Sequence, residues 1–547
     1  MPSHETRLRT VPVCALAIVP SPDCPQLASA GQTWAALIDH RAINSKVIVN
    51  CAGHGYVSAA NLRHGMGEQG TTTTELAVPI CTDLDGTLIK TDLLWESAVR
   101  LLTKNPIWVF ALPVWWARGR AYLKRQIASR VRLDPARLPY NGPFLEFLRA
   151  EKMRGRKLVL ASASDAELVR AVADYLGIFD EVMGSDGRAN LRGAAKADAL
   201  VGKFGLRGFD YAGNAKPDLA VWQKARHAIV VARSTAFADR VRHVAELAHT
   251  FLTQDSRLSA LFRAIRPHQW VKNLIVFAPL IASHKIFEWP LVGQAAITFA
   301  AFCLCAVSSY ILNDLLDLDA DREHRAKTRR PFAAGELPLQ FGLALIPLTA
   351  ICGLVLGATL GLGVVCALAA YLILSFSYSA ALKKVALLDA FVLAALYTLR
   401  LIAGHEATGI AYSNWLLMFC MFIFLSLALV KRFHELRLAR SANRIDLARR
   451  GYLAGDIELV GMLGLSCGVL AVLVLALYVT SREVLTLYKH PMFLLLGCPL
   501  LLYWLSRVWL IAHRGQMHDD PVVFTLKDWQ SYVIGLLILL VMLAATG

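Results

Sequence analysis

The pattern of apolar and polar positions divides the chain near residue 266. From Lys272 onward, apolar runs follow one another at roughly 272–286, 292–312, 342–360, 362–378, 387–403, 414–430, 457–480, 492–512 and 531–546. Each approaches the roughly 20 residues that a helix needs to cross a bilayer, and the first is short. They predict an all-α polytopic membrane domain of nine transmembrane helices over 255–547. Upstream, over 76–254, apolar strand-like runs end in polar turns, as in ELAVPICTDLDGT, KLVLASAS and FDYAGNAKPD. That pattern predicts a soluble α/β domain.

Composition sharpens the division. Of 547 residues, 56% are apolar and 18% charged, against about 45–50% and 25% in soluble globular chains. A disordered, collagenous or wholly soluble protein is excluded. In so apolar a chain, the net charge of +16 points to cytoplasmic loops and anionic lipid rather than to nucleic acid. With the segment before the first run in the cytoplasm, the cytoplasmic loops carry five (322–330), two (383–384), seven (431–450) and two (514 and 527) Lys and Arg. The opposite loops carry only Lys285, Arg482 and Lys489. This asymmetry predicts an integral protein of a bacterial inner membrane with its amino-terminal domain in the cytoplasm. The eleven Cys are scattered with no C-x-x-C pair, so neither a disulfide framework nor a thiolate metal site is expected.

Residues 1–75 are read as an extension without assigned function. Arg7, Arg9, VPVCALAIV and LASA imitate a secretory signal, but Pro12 and Pro20 interrupt the apolar core. Export would contradict the loop charges. Met66 is an alternative start.

Asp83-Leu84-Asp85-Gly86-Thr87 follows an apolar strand ending at Cys81. Two carboxylates two residues apart, just past a buried strand, can point into one site at the carboxyl edge of a sheet, where α/β folds bind ligands. Gly86 lets the chain turn away. Asp83 can attack phosphorus while Asp85 protonates the leaving oxygen; an ordinary solvated loop is the plain alternative. A second strand ends at Ser162, Lys196 lies in LRGAAKADAL, and a third strand closes with Gly213, Asn214 and Asp218. In this order the segments resemble the haloacid dehalogenase (HAD) superfamily of phosphatases, whose DxDGT signature stands intact at Asp83 to Thr87. The resemblance implies an α/β Rossmann-like fold with Asp83 as nucleophile, Asp85 as acid/base and Ser162 as phosphate ligand. Lys196 would neutralise the phosphoryl group, and Asp83 and Asp218 would hold Mg²⁺. Asn214 departs from the pattern, standing where the family often has an acid.

Between the first two motifs lies NPIWVFALPVWWARGRAYLKRQIASR. Residues 107–117 are apolar and Trp-rich, too short to span, with Arg118, Arg120, Lys124 and Arg125 behind. A cap lying on the membrane surface fits this composition, and so does a buried cap helix.

The second apolar run of the membrane domain enters SSYILNDLLDLDADREHRAKTRRPFAAGELP. On one continuous helix Asp314, Asp317 and Asp321 share a face within about 60°, flanked by Asn313, while Asp319 lies about 140° from Asp314. Mg²⁺ bridging to a diphosphate would relieve the repulsion of three carboxylates at a membrane boundary; a solvated helix end is the alternative. Further on, Asp389, Leu393, Tyr397 and Arg400 share a helical face inside the bundle, where an ionisable residue reads as functional. Lys383 and Lys384 sit at the cytoplasmic rim, either as point charges for phosphate or as markers of topology.

With the motif Asn313, Asp314, Asp317, Asp321 in a nine-helix setting, this part resembles the UbiA superfamily of intramembrane prenyltransferases. Familiar members carry a second DxxxD; here Asp389 is followed by Leu393, so a second metal site is half present. RPHQWVKN (266–273), TRRPFAAGELP and LALVKRFHEL (427–436) resemble the decaprenyl-phosphate phosphoribosyltransferase branch. The resemblance implies transfer of phosphoribose from phosphoribosyl diphosphate (PRPP) to a polyprenyl phosphate. No protein nucleophile is needed, because the lipid phosphate is already an anion. Lys272, Lys383, Lys384, Arg400, Lys431 and Arg432 are the candidate phosphate ligands. The HAD domain would then remove the 5-phosphate of the product. The competing expectation is prenyl transfer to an aromatic or other acceptor, with the HAD domain regulatory or acting elsewhere.

Overall fold

The computed structural model of the protein describes residues 48–49, 57–58, 78–185, 191–252, 256–324, 326–441, 450–517 and 521–546. The extension read over 1–75 and the alternative start at Met66 lie outside these, apart from two two-residue strands paired antiparallel, Ile48 opposite Ser58.

The α/β part holds six parallel strands: β1 (Ile80–Thr82), β2 (Leu158–Asp165), β3 (Glu181–Ser185), β4 (Asp210–Gly213), β5 (His227–Ala232) and β6 (Glu246–Leu252). Their order is 3-2-1-4-5-6. The central strands are apolar with almost every residue buried, as expected where helices cover both faces of a parallel sheet. The order reverses between β1 and β4, so their carboxyl ends open a crevice at the switch point. Between β1 and β2 the chain forms a cap: α1 (Leu93–Lys104), a 3-10 turn (Pro106–Phe110), α2 (Ala111–Ala117) and α3 (Arg120–Ala128). Its small core holds Ala98, Leu101, Trp115, Ile127 and Val131. Helix α4 (Ala194–Phe204) precedes β4.

After α5 (Arg257–Ile265), the membrane part comprises α6 (Trp289–Leu316), a short α7 (Leu318–Glu323), then α8 (Leu339–Ala358), α9 (Leu362–Ala380), α10 (Leu388–Thr408), α11 (Asn414–Ser441), α12 (Ile457–Val479), α13 (Gly497–Arg514) and α14 (Trp529–Thr546). Among the described residues, eight helical segments, those of α6 and α8–α14, are long and apolar enough to cross a membrane. The chain is an integral membrane protein.

The first expected run takes another form. It is a 3-10 segment, Pro267–Phe277, followed by a short helix, Ala278–Ala282. Pro267 and Pro279 remove backbone donors, and the chain enters from Arg266 at φ 51°. The segment still has a long way to go. Ala260 and Ala264 of α5 share a cluster with Leu315 at the far end of α6 and with Leu318 just beyond it. The chain must run the length of α6, about 42 Å at 1.5 Å per residue, before entering it at Trp289. A 3-10 segment rises about 2.0 Å per residue and is suited to that journey. Gly404 makes room for it, since a Cβ there would lie 2.3 Å from the Val276 carbonyl oxygen.

The two parts pack directly together. Val99 and Trp95 of α1 join Val307, Ile311, Leu315 and Phe332 in one apolar cluster. Gly335 follows the acid cluster, and a Cβ there would lie 2.7 Å from Lys90 Cβ.

Candidate active sites

Asp83 leaves β1 at the switch point, its amide bonded to the Ala212 carbonyl of β4 at 2.9 Å. Lys196, in the first turn of α4, donates to Asp83 Oδ1 at 2.7 Å and to the Tyr211 hydroxyl at 3.0 Å. Tyr211 donates in turn to Asp218 Oδ1 at 2.9 Å, and the amides of Asn214 and Ala215 each donate to Asp218 Oδ2 at 3.0 Å. Asp85 is held separately, by the Leu93 amide at 2.8 Å and the Ser164 hydroxyl at 2.6 Å. Gly86 has φ 76°, and a Cβ there would lie 2.0 Å from Asn214 Nδ2, so both conformation and contact require glycine.

Two hydroxyls of β2 reach Asp85, those of Ser162 and Ser164. Ser162 is fully buried and bonds Asp85 at 3.3 Å, whereas Ser164 and Ala163 line the cavity described below. Alternation along β2 puts both serines on one face, and Ser164 lies nearer the carboxyl edge.

Burial pushes Asp83 up to about 7; Lys196 opposes the rise, and Asp218 and Asp85 reinforce it. Burial also raises Asp85 to about 6, with Asp92 adding to it and Ser164 opposing. Such crowding of carboxylates fits a divalent cation, with Asp83 and Asp218 the residues to hold it. Above them opens a cavity of about 820 Å³, with Asp83, Asp85, Ser164, Lys124 and Lys196 on its floor and apolar cap residues on its walls.

In the membrane part, the expected single helix breaks at Asp317, which stands between α6 and α7 at φ −96°, ψ 9°. Carboxylates crowding the negative end of a helix dipole favour such a break. Asp314 and Asp321 nevertheless converge, both accepting from Arg330 Nη1, at 3.1 and 2.6 Å. Arg266 also bonds Asp314. Asp317 is clasped by Lys383 Nζ at 2.8 and 2.9 Å, with Asn313 at 3.4 Å. Asp319 points elsewhere, accepting from Arg100 of α1 at 2.6 Å.

Asp314 Oδ2 is buried without a hydrogen-bond partner. An orphaned carboxylate oxygen beside two further acids fits a cation. Among the described residues no three acids, thiols or imidazoles converge on one point.

Lys383 is buried against the acids, whereas Lys384 is exposed, so the pair is split. Asp389 is paired with Arg432 at 2.5 Å, accepts from the Tyr452 hydroxyl at 2.6 Å and lies 3.5 Å from Arg450. Arg400 is engaged deeper in the bundle: it donates to Asn273 at 2.7 Å and to the Leu396 carbonyl, and stacks 4.8 Å from the Tyr371 ring centre. Lys272 lies 6.0 Å from the Tyr397 ring centre, and Lys431 is half-buried.

Residues 274–543 match the UbiA prenyltransferase family, and residues 80–242 match haloacid dehalogenase-like hydrolases. An uncharacterised protein of Sinorhizobium fredii is 36% identical over 465 residues, 84% of this chain and 90% of its own. Nodulation protein NoeC of Azorhizobium caulinodans is 36% identical over 275 residues, 49% of this chain and 88% of its own. The chain belongs to the UbiA prenyltransferase family. Within it, the decaprenyl-phosphate phosphoribosyltransferase of Mycolicibacterium smegmatis is 36% identical over 208 residues, 37% of this chain and 65% of its own. The protein is thus a UbiA-type transferase fused to a HAD-type hydrolase domain.

Several residues of the UbiA and HAD sites were not singled out by sequence. Arg266 and Arg330 stand inside RPHQWVKN and TRRPFAAGELP, where their signal was the stretch and not the residue. Arg450 and Tyr452 reach Asp389 from over sixty residues away, and no local spacing announces them. Tyr211, apolar in pattern, links Lys196 to Asp218.

Proposed function

We propose that the UbiA part transfers 5-phosphoribose from PRPP to a polyprenyl phosphate, and that the HAD domain then removes the 5-phosphate of the lipid product. Both reactions are assigned to the cytoplasmic face of a bacterial inner membrane. The observation that carries the reading is the fate of the second acid position. Asp389 is closed off by Arg432, Arg450 and Tyr452, and Leu393 stands where a partner acid would be. A site with one acid cluster and added arginines suits a donor with an extra phosphate and an acceptor that is itself a phosphate.

In the transfer, an oxygen of the lipid phosphate forms a bond to the anomeric carbon as that carbon's bond to diphosphate breaks. Lys383, Arg330 and Arg266 sit on the acids that would hold Mg²⁺ and are placed to receive the phosphates. Mg²⁺ held by Asp314, Asp317 and Asp321 would neutralise the departing diphosphate. Arg432 and Arg450 would orient the remaining phosphate charge, so that the protein contributes positioning and electrostatics.

In the hydrolase step, Asp83 bonds to phosphorus as the ester oxygen leaves, taking its proton from Asp85. Water, giving a proton back to Asp85, then releases inorganic phosphate and regenerates Asp83. Lys196 balances the charge at Asp83 throughout. A second cavity of about 460 Å³ supports the coupling of the two steps. Asp85, Gly86 and Asn214 line it from the HAD side, and Gly335, Pro338 and Gln340 from the UbiA side. Proximity raises the effective concentration of product at the second site.

The test is to supply purified protein with labelled PRPP and polyprenyl phosphate and weigh the lipids formed. A labelled ribose lipid supports the reading. No transfer from PRPP, with transfer from a prenyl diphosphate to an aromatic acceptor, would replace it.

A further inference from the structure

The HAD cavity is built for more than a phosphate. The twelve residues 106–117 are all apolar, and the structure gives each face a different surrounding. Trp108, Ala111 and Trp115 pack into the cap's core. Val109, Leu112, Pro113 and Trp116 line the cavity, joined there by Leu94, Trp95 and Leu123. Ile107, Phe110 and Val114 face outward, exposed by 71, 79 and 54%. Trp116 both lines the cavity and is 63% exposed, so it stands at the mouth. A segment apolar all round is one that expects to be covered.

Two observations say what covers it. Helix α1, which leads directly into the segment, packs in one cluster with Val307 and Ile311 of α6 and with Leu343 and Ile346 of α8. These residues lie four to nine positions inside membrane-spanning helices, about 6–14 Å from their ends. The cap thus docks on the membrane bundle through α1, the helix that the outward face follows in the chain. Basic side chains border it as well: Arg130 stacks on Trp108 and Trp115 at 5.0 and 4.9 Å, and Arg118 on Tyr122 at 5.5 Å. Aromatic and basic side chains around an apolar tip suit an anionic bilayer surface.

We propose that residues 106–117 dip into the bilayer and pass lipid-borne phosphate monoesters into the HAD cavity, whose apolar walls hold the start of the chain. This deepens the hydrolase reading above and rests on it. The phosphate lies on the floor of Asp83, Lys196 and Ser164, the adjoining chain against Leu112 and Trp95, and the remainder of the lipid leaves past Trp116 to the membrane. The P–O bond breaks as described: the alcohol leaves with the proton of Asp85, and water then adds its oxygen to the phosphoryl group on Asp83 and returns a proton to Asp85, releasing inorganic phosphate.

The test uses the full chain in phosphatidylglycerol nanodiscs. Phosphate release is first measured from soluble alkyl phosphates, butyl to octyl. The value of kcat/KM should rise about fourfold per methylene buried, about two orders of magnitude over the series. A flat series with release intact overturns this proposal alone; no release from any ester overturns it together with the hydrolase reading. The triple substitution Ile107→Ser, Phe110→Ser, Val114→Ser, which touches no cavity wall, should then lower hydrolysis of bilayer-borne dodecyl phosphate about tenfold and spare soluble butyl phosphate. An unchanged rate on the bilayer-borne ester, or a change of oligomeric state on substitution, would show that the face meets something other than lipid.

Discussion

Glu96 of the HAD cap and Arg322 of the UbiA part meet in a two-pronged ion pair, with N–O distances of 2.7 and 3.0 Å, and Glu96 is wholly buried. Arg100 adds a bond to Glu96 at 2.6 Å and reaches on to Asp319. Arg322 is the residue after Asp321, so the acid cluster and the cap share one charged seam. Breaking a buried pair leaves an uncompensated charge and costs about 3–5 kcal/mol. Glu96→Gln should therefore loosen the two parts, seen as a lowered unfolding temperature and new proteolytic cuts near residue 255. Burial alone would raise the Glu96 pKa, but Arg322 and Arg100 hold it below its ordinary value. Its contribution is thus complete above about pH 4.3 and is lost as pH falls through the depressed value. Docking that weakens between pH 7 and 5 would contradict this.

The acids of the UbiA motif should separate by partner. Asp314→Asn should reduce transfer by about 10²–10³-fold, the cost of losing one preorganised electrostatic contact. Asp319→Asn, whose side chain meets Arg100, should leave transfer within a few fold and act on docking. Labelled lipid formed from PRPP measures both, and equal losses would refute the assignment.

The two adjacent lysines should differ as sharply. Lys383→Ala removes the clasp on Asp317 and should lower transfer at least tenfold. Lys384→Ala, at an exposed position, should change it little. The same labelled-lipid assay decides.

These contrasts mark where sequence stops being informative. The order of strands and the motifs of the two families were legible because local spacing specifies them. Eight spanning helices were legible as runs of apolar residues. The first run was legible as apolar sequence but not as a 3-10 segment, because Pro267 and the turn at Arg266 set its form. The partners of Asp389 come from α11 and the loop before α12, and Arg330 reaches Asp314 and Asp321 from beyond α7. Such pairings are products of folding and have no local signature.

The HAD site predicts a pH effect. Asp85 must carry a proton to assist the leaving oxygen, and burial raises it to about 6 while the Ser164 hydroxyl favours its charged form. Ser164→Ala should raise it further. The alkaline limb of p-nitrophenyl phosphate hydrolysis should then move to higher pH, although the maximal rate falls. A limb that moves to lower pH, or does not move, would remove Asp85 from the role of acid.

The coupling of the two domains is tested most directly by the mass of the lipid made by Asp83→Asn. The variant cannot form a phosphoaspartyl bond, and the UbiA acid cluster is untouched. It should consume PRPP as the wild type does and accumulate a lipid heavier by one phosphate than the wild-type product. Identical lipids from both proteins would mean that the HAD domain does not act on what the UbiA domain makes.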